Sequence, residues 1–224
     1  MARAETHKKR IQQRRTGAER SRRIGILGGT FNPIHLGHLL TAQDALEQLG
    51  LERVIFIPSA TPPHKVVDKL ATGRDRLRMI KLAIRGNDQF EVDDIEIKRG
   101  GKSYTVDTLM ALRQRHPRAD LYFIIGADSL QELHLWREVA RLVTLCTFVT
   151  VPRPGFKPEP VIDPRLDAAT RRRLRQHVLH GHACDIASRD IRARVSGGRS
   201  MRYLVPDAVR FYIEKNRLYR GRAS

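Results

Sequence analysis

The chain has 224 residues with 42 Lys/Arg against 24 Asp/Glu, a formal net charge of +18, and 41% hydrophobic and 29% charged residues, ordinary for a globular protein. No stretch approaches the roughly 18 apolar residues of a membrane span, and the Arg-rich N-terminus lacks the apolar core of a secretory signal. Cys146 and Cys184 make no disulfide framework, so free thiols in a reducing cytoplasm are expected.

Residues 1–23 hold nine Lys/Arg against two Glu, +7, which leaves +11 for the other 201 residues. This head has too few apolar residues to bury a core and reads as a disordered extension. Its charge suits a solvated tail, or non-specific nucleic-acid contact. Residues 24–219 are then a single domain, and 220–224 a short basic tail.

Ile24–Leu27 is an expected buried strand, followed by a helix over Leu36–Leu49 that stops at Gly50. Val54–Ile57 is a second strand, ended by Pro58. After the loop Thr61-Pro62-Pro63-His64-Lys65, a helix is expected over Asp75–Arg85, with Leu77, Ile80, Leu82 and Ile84 as its apolar positions. Phe90–Ile97 alternates in part and predicts one or two short strands. Tyr104–His116 is helical, with Ser103 or Thr105 as its cap, and Leu121–Ile125 is a third buried strand ending at Gly126. One or two short helices occupy Leu130–Leu142, and Leu145–Val151 is another strand. Beyond the Pro-rich loop 153–166 come an Arg-dense helix (Leu166–Gln176), a short strand near Val178, a helix from about Ser188, and another over Pro206–Lys215. Buried strands alternating with helices predict an α/β fold: an open parallel, Rossmann-like sheet with helices on both faces and a helical C-terminal part.

Two constellations carry chemistry. Gly28-Gly29-Thr30 ends the first strand, and His35 and His38 flank Gly37 at the start of the next helix. Glycines there admit backbone N–H groups close to a phosphate, and histidines three apart share one face of the first turn. The pair also has the spacing of metal ligands, but no third ligand at a matching position is evident. Packing or capping histidines are the plainer alternative. The second constellation is Ile186-Ala187-Ser188-Arg189-Asp190-Ile191-Arg192, with Ser188 as N-cap, Ile191 facing the core and Arg192 one turn on. A hydroxyl and a guanidinium at a helix start suit a polyphosphate.

Together these segments resemble the HxGH and ISSTxIR motifs of the nucleotidyltransferase superfamily, and residues 24–219 resemble bacterial nicotinate-nucleotide adenylyltransferases. Further matches are Pro62-Pro63-His64-Lys65, Ser103-Tyr104-Thr105 through Leu109, Ile125-Gly126-Ala127-Asp128-Ser129-Leu130 with Trp136, and Leu204-Val205-Pro206 through Tyr219. The resemblance implies adenylyl transfer from ATP to nicotinate mononucleotide, giving deamido-NAD and pyrophosphate, with Mg²⁺ carried by the phosphates and no dedicated metal ligands. His35, His38 and Arg192 would then be catalytic. Gly28, Gly29, Thr30, Phe31, Gly37, Gly126, Asp128 and Ser188 would bind ATP. Asn32, Lys65, Tyr104, Thr105 and Trp136 would bind the mononucleotide. The chain departs from the family pattern at Ala187 and Arg189, where Ser and Thr are usual, and has Arg137 after Trp136. A relative acting on nicotinamide mononucleotide, and a nucleic-acid-binding protein using the basic head and Arg171–Arg175, are the competing readings. No aromatic-interleaved basic stripe supports the latter.

Overall fold

The structure, a computed structural model, describes residues 21–61, 70–153, 155–156, 166–175, 177–182 and 184–221. Most of the basic head, Pro62 to Lys65, and most of the 153–166 loop lie outside the described residues. Five strands form one parallel sheet in the order β3-β2-β1-β4-β5: β1 Arg23–Gly29, β2 Arg53–Pro58, β3 Phe90–Val92, β4 Asp120–Gly126 and β5 Thr147–Val151. The order reverses direction at β1, which pairs with β2 on one side and β4 on the other. A crevice opens at the carboxyl ends of two strands whose following helices depart to opposite faces.

Successive side chains of a strand point to opposite faces, so each buried strand feeds two cores. Ile24, Ile26, Ile55, Ile57, Leu121, Phe123 and Ile125 pack on one face with helices α4 (Thr105–Arg115), α6 (Val139–Leu145) and α7 (Ala168–Arg175). Leu27, Val54, Phe56, Ile124 and Val149 pack on the other with α1 (Leu36–Gln48), α2 (Gly73–Ala83), α8 (Ser188–Ser196) and α9 (Asp207–Lys215). The parallel Rossmann-like sheet, the helices on both faces and the helical C-terminal part all appear as expected. Both cysteines are free, with Cys146 buried. Among the described residues no helix is long and apolar enough to cross a membrane.

Several local expectations are corrected. Residues 95–99 form a helical turn, α3 (Ile95–Arg99), and not strand. The Asp93 carboxylate accepts the Ile95 N–H at 2.9 Å, and Lys98 pairs with Asp94 at 2.9 Å, so a local Asx turn ends the extended run after Val92. Helix α2 starts at Gly73, two residues early, because Thr72 caps it by accepting the Asp75 N–H at 3.1 Å. Its buried face includes Arg76 and Met79 beside Ile80, whereas Leu77 and Leu82 are half-buried. Neither Ser103 nor Thr105 caps α4: its N-cap is Tyr104, with no side-chain cap bond. The segment after β4 divides into α5 (Ala127–Gln131), a 3₁₀ turn (Leu133–Leu135) and α6, whose last residue is Leu145, so β5 begins only at Thr147. Near Val178 there is a single parallel bridge to Thr150.

Candidate active site

At the end of β1 the chain turns through Thr30 to Ile34 into α1, with His35 as the N-cap residue. The His35 backbone N–H donates to His38 Nδ1 at 3.2 Å. A neutral His38 that accepts at Nδ1 carries its proton on Nε2, so the hydrogen bond selects the tautomer that leaves a donor free. The two imidazoles stack with centroids 3.7 Å apart and planes inclined by 32°, and Phe31 meets His38 edge-on at 4.9 Å. Burial, helped by the Arg153 guanidinium, pushes His35 down from 6.5 to about 3. Burial, His35 and Arg153, in that order, hold His38 well below its ordinary value. Both rings are therefore neutral near pH 7, and His35 Nδ1 has no hydrogen-bond partner among the described residues.

Five groups from distant parts of the chain fix the turn that presents this pair. Arg76, 1% exposed, donates to the carbonyls of Thr30 (2.9 Å), Ser59 (2.6 Å), Ala60 (3.2 Å) and Ala71 (3.1 Å). Arg192 donates to the Asn32 carbonyl at 2.9 Å, and the Ser188 hydroxyl to the Pro33 carbonyl at 2.8 Å. Asn32 Oδ1 accepts the Ala71 N–H at 3.0 Å and the Tyr219 hydroxyl at 2.8 Å. The peptide bond between Asn32 and Pro33 is cis.

A cavity of about 330 Å³ opens over the carboxyl ends of β1 and β4, at the reversal of strand order. One wall holds Gly28, Gly29, Thr30, His35, Gly37 and His38; Gly126 and Asp128 follow β4. A Cβ at position 37 would lie 3.2 Å from His35 Nδ1 and 3.5 Å from Cys184 Sγ, so glycine there keeps the His35 ring uncrowded. At 126 a Cβ would collide with the Asp128 carboxylate, whose Oδ1 faces Arg153 Nε at 3.5 Å. The opposite wall carries Ser103, Tyr104, Thr105, Trp136 and Arg137 at the start of α4 and beyond α5. The Arg137 guanidinium lies 5.0 Å from the Tyr104 ring centre, and Trp136 stands edge-on to Phe123 at 6.0 Å. With no side chain capping α4, its first-turn N–H groups are available to an anion. One end of the cavity thus offers neutral imidazole and glycine-loop donors, the other a helix N-terminus beside flat rings.

Residues 26–197 match the Cytidylyltransferase-like family. A "Probable nicotinate-nucleotide adenylyltransferase" of Desulfitobacterium hafniense (strain Y51) is 46% identical over 199 residues, covering 89% of this chain and 96% of that protein. The same name belongs to a Citrifermentans bemidjiense protein 45% identical over 213 residues, with 88% of this chain and 98% of that one covered. The chain belongs to the nicotinate-nucleotide adenylyltransferase family. In fold, the enzyme is similar to the Plasmodium falciparum nicotinic acid mononucleotide adenylyltransferase complexed with NaAD, with a TM-score of 0.70 at 19% identity, covering 88% and 97% of the two chains.

Within the adenylyltransferase, the cavity brings together His35, His38, Gly28, Gly29, Thr30, Gly37, Gly126, Asp128, Tyr104, Thr105 and Trp136. Four expected residues are elsewhere. Phe31 is 2% exposed and packs beneath His38 and against Phe56; the Asn32 side chain is turned inward to Ala71 and Tyr219. Ser188 and Arg192 reach the carbonyls of the 32–33 turn and do not line the cavity. Ser188 is also not the N-cap: Ala187 holds that place, and Ser188 is the first helical residue with its hydroxyl committed to Pro33. Lys65 lies outside the described residues. Arg189 is exposed, its Nε 3.4 Å from Asp190. Sequence reasoning missed Arg76, Glu96, Thr108, Arg153 and Cys184. Arg76 and Glu96 are charged residues in segments read for their apolar pattern, and Arg153 and Cys184 come from loops that carry no periodic signal.

Proposed function

We propose that this cavity transfers the adenylyl group of ATP to nicotinate mononucleotide, forming deamido-NAD and pyrophosphate. The observation that carries the reading is the two-ended cavity: glycine-loop and imidazole donors at one end, the uncapped α4 N-terminus with Tyr104, Thr105 and Trp136 at the other. An oxygen of the acceptor's 5′-phosphate attacks the α-phosphorus of ATP, and the bond from that phosphorus to the bridging oxygen breaks as pyrophosphate leaves. The attacking phosphate is already an anion at neutral pH, so no general base is required. What the site supplies is alignment and donors for the charge that builds on the phosphate oxygens.

His38, with its proton on Nε2, donates to the triphosphate, and His35 stacks against it to hold that ring in place. Glycine-loop N–H groups bind phosphate oxygens alongside them, and Asp128 with Gly126 borders the adenosine part. Arg192 and Ser188 act by holding the 32–33 turn. Magnesium arrives with the triphosphate as part of the substrate and neutralises its charge. At the other end, the N–H groups of α4 accept the pyridine carboxylate, an acceptor-only group that such donors prefer to a carboxamide, and Trp136 and Tyr104 border the ring. This chemistry belongs in the cytoplasm, and nucleic-acid contact is at most a side property of the basic head.

The test measures pyrophosphate release from ATP and Mg²⁺ with nicotinate or nicotinamide mononucleotide as acceptor. Turnover with the acid at least tenfold above the amide is expected, and His38→Ala should lower kcat about 100-fold or more, as for loss of one preorganised donor. Equal rates with both acceptors, or full activity without His38, would refute the reading.

A further inference from the structure

The acceptor end of the cavity is held by a buried carboxylate that the reaction itself does not use. Glu96, on the short helix α3, is 8% exposed and reaches the cavity wall. Its Oε1 accepts the Thr108 hydroxyl at 2.6 Å, and Thr108 Oγ1 in turn takes Arg99 Nη2 at 3.0 Å. The carboxylate only accepts, so the Thr108 hydroxyl donates to it and receives Arg99 on its oxygen. Beside it, Ser103 Oγ takes the Ala60 N–H at 2.9 Å.

Thr108 lies one turn inside α4, so Glu96 grips the first turn of the helix whose free N–H groups face the acceptor, while Ser103, just before that turn, is held by Ala60. The network does not stop there. Ala60, whose N–H binds Ser103, gives its carbonyl to Arg76 at 3.2 Å, and Arg76 gives another bond to the Thr30 carbonyl of the phosphate turn at 2.9 Å. The backbone bond from Ser103 N–H to the Thr61 carbonyl, 3.0 Å, ties the same turn to the end of β2. One continuous chain of hydrogen bonds thus runs from the glycine-loop end of the site to the acceptor end, through the carboxyl end of β2. Burial raises the pKa of Glu96, and the bond from Thr108 with the charges of Arg99 and Arg76 opposes that rise.

We propose that Glu96 is a positioning residue for the acceptor: by gripping Thr108 it aims the first N–H groups of α4 at the pyridine carboxylate, and so sets the preference for acid over amide. The inference rests on the adenylyl-transfer reading above. It is read at the acceptor end, because the bonds that fix the triphosphate end, from Arg76 to Thr30 and from Arg192, Ser188 and Tyr219 to the 32–33 turn, do not involve Glu96. In Glu96→Gln the carboxylate charge is lost and the Thr108 hydroxyl faces a neutral amide, whose N–H₂ group cannot accept its proton. Thr108→Val removes one grip without touching Glu96, and serves should the Glu96 variants fold poorly.

The experiment determines kcat and KM for both substrates in the wild type, Glu96→Gln and Thr108→Val, with nicotinate and nicotinamide mononucleotide as alternative acceptors. For both variants KM for nicotinate mononucleotide should rise about tenfold, the scale of one lost hydrogen bond. The kcat/KM ratio of acid over amide should fall by a similar factor, while KM for ATP and kcat stay within about twofold. Amide hydrogen exchange over residues 103–108 should quicken in the unliganded variants with that of α1 unchanged. Parallel rises in both KM values, an unchanged acid-to-amide ratio, or unchanged exchange at 103–108 would overturn the positioning role. A wild type that turns over neither acceptor would instead refute the adenylyl-transfer reading and this inference with it.

Discussion

Lowering the pH from 7 to 5 should cost this fold stability through the stacked histidines, and His35→Gln should remove much of that cost. In the unfolded chain a histidine takes up its proton near pH 6.5, whereas the buried His35 does so only near 3. A native pKa depressed in this way means that the unfolded state binds more protons throughout the interval between the two values. The contribution is therefore fully present above about pH 6.5 and drains away as the pH falls toward 3. Between pH 7 and 5 the unfolded state gains stability from this one group by about 2 kcal/mol, and His38, shifted in the same direction, adds to it. His35→Gln puts a neutral side chain in the same place. The wild-type protein should then lose about 2 kcal/mol more than the variant over that interval. Urea unfolding at pH 7, 6 and 5, followed by far-ultraviolet circular dichroism, gives both curves. A gap between wild type and variant that stays constant across the interval would mean that His35 ionises normally in the folded protein, and a neutral, buried His35 would be refuted.

Arg76→Met should leave four backbone carbonyls without their guanidinium partner and destabilise the protein by about 4 kcal/mol, at roughly 1 kcal/mol for each lost bond. A loss under about 1 kcal/mol in the same urea assay would show that water or the neighbouring backbone satisfies those groups. Iodoacetamide should label Cys184 in the native protein and spare Cys146, whose buried thiol is pushed up to about 12. Saturating ATP with Mg²⁺ should slow that labelling about tenfold because Cys184 lines the occupied cavity. Mass spectrometry of the digested protein reads both sites, and equal labelling of the two cysteines, or no protection by ATP, contradicts the placement.

Much of the architecture was legible in the linear pattern because it rests on local rules. Buried parallel strands appear as short apolar runs: Ile24–Leu27, Val54–Ile57 and Leu121–Ile125 each fall inside an observed strand. The end of α1 at Gly50 follows from a glycine at φ +57°, a conformation that other residues adopt at a cost. The misread segment 95–99 shows where such rules fail: a partial alternation was outweighed by an Asx turn at Asp93. At the site, the glycine turn and the two histidines were legible because all lie within eleven residues and act through strand-to-helix geometry.

The amino-acid sequence by itself determined the alternation of strand and helix, the glycine turn at Gly28–Gly29, the histidine pair and the family to which the chain belongs. Only the tertiary structure decided what each charged or hydroxyl group does. Ser188, Arg192 and Asn32 looked like ligand contacts in their own segments, yet their partners are Pro33, the Asn32 backbone and Tyr219, up to 187 residues away. Arg76 and Glu96 look like surface charges on helices, and became buried anchors because carbonyls at the ends of β1 and β2 converge on Arg76 and the Thr108 hydroxyl of α4 meets Glu96. A buried charge is stable only where partners meet it from several directions. Sequence spacing carries no record of that convergence.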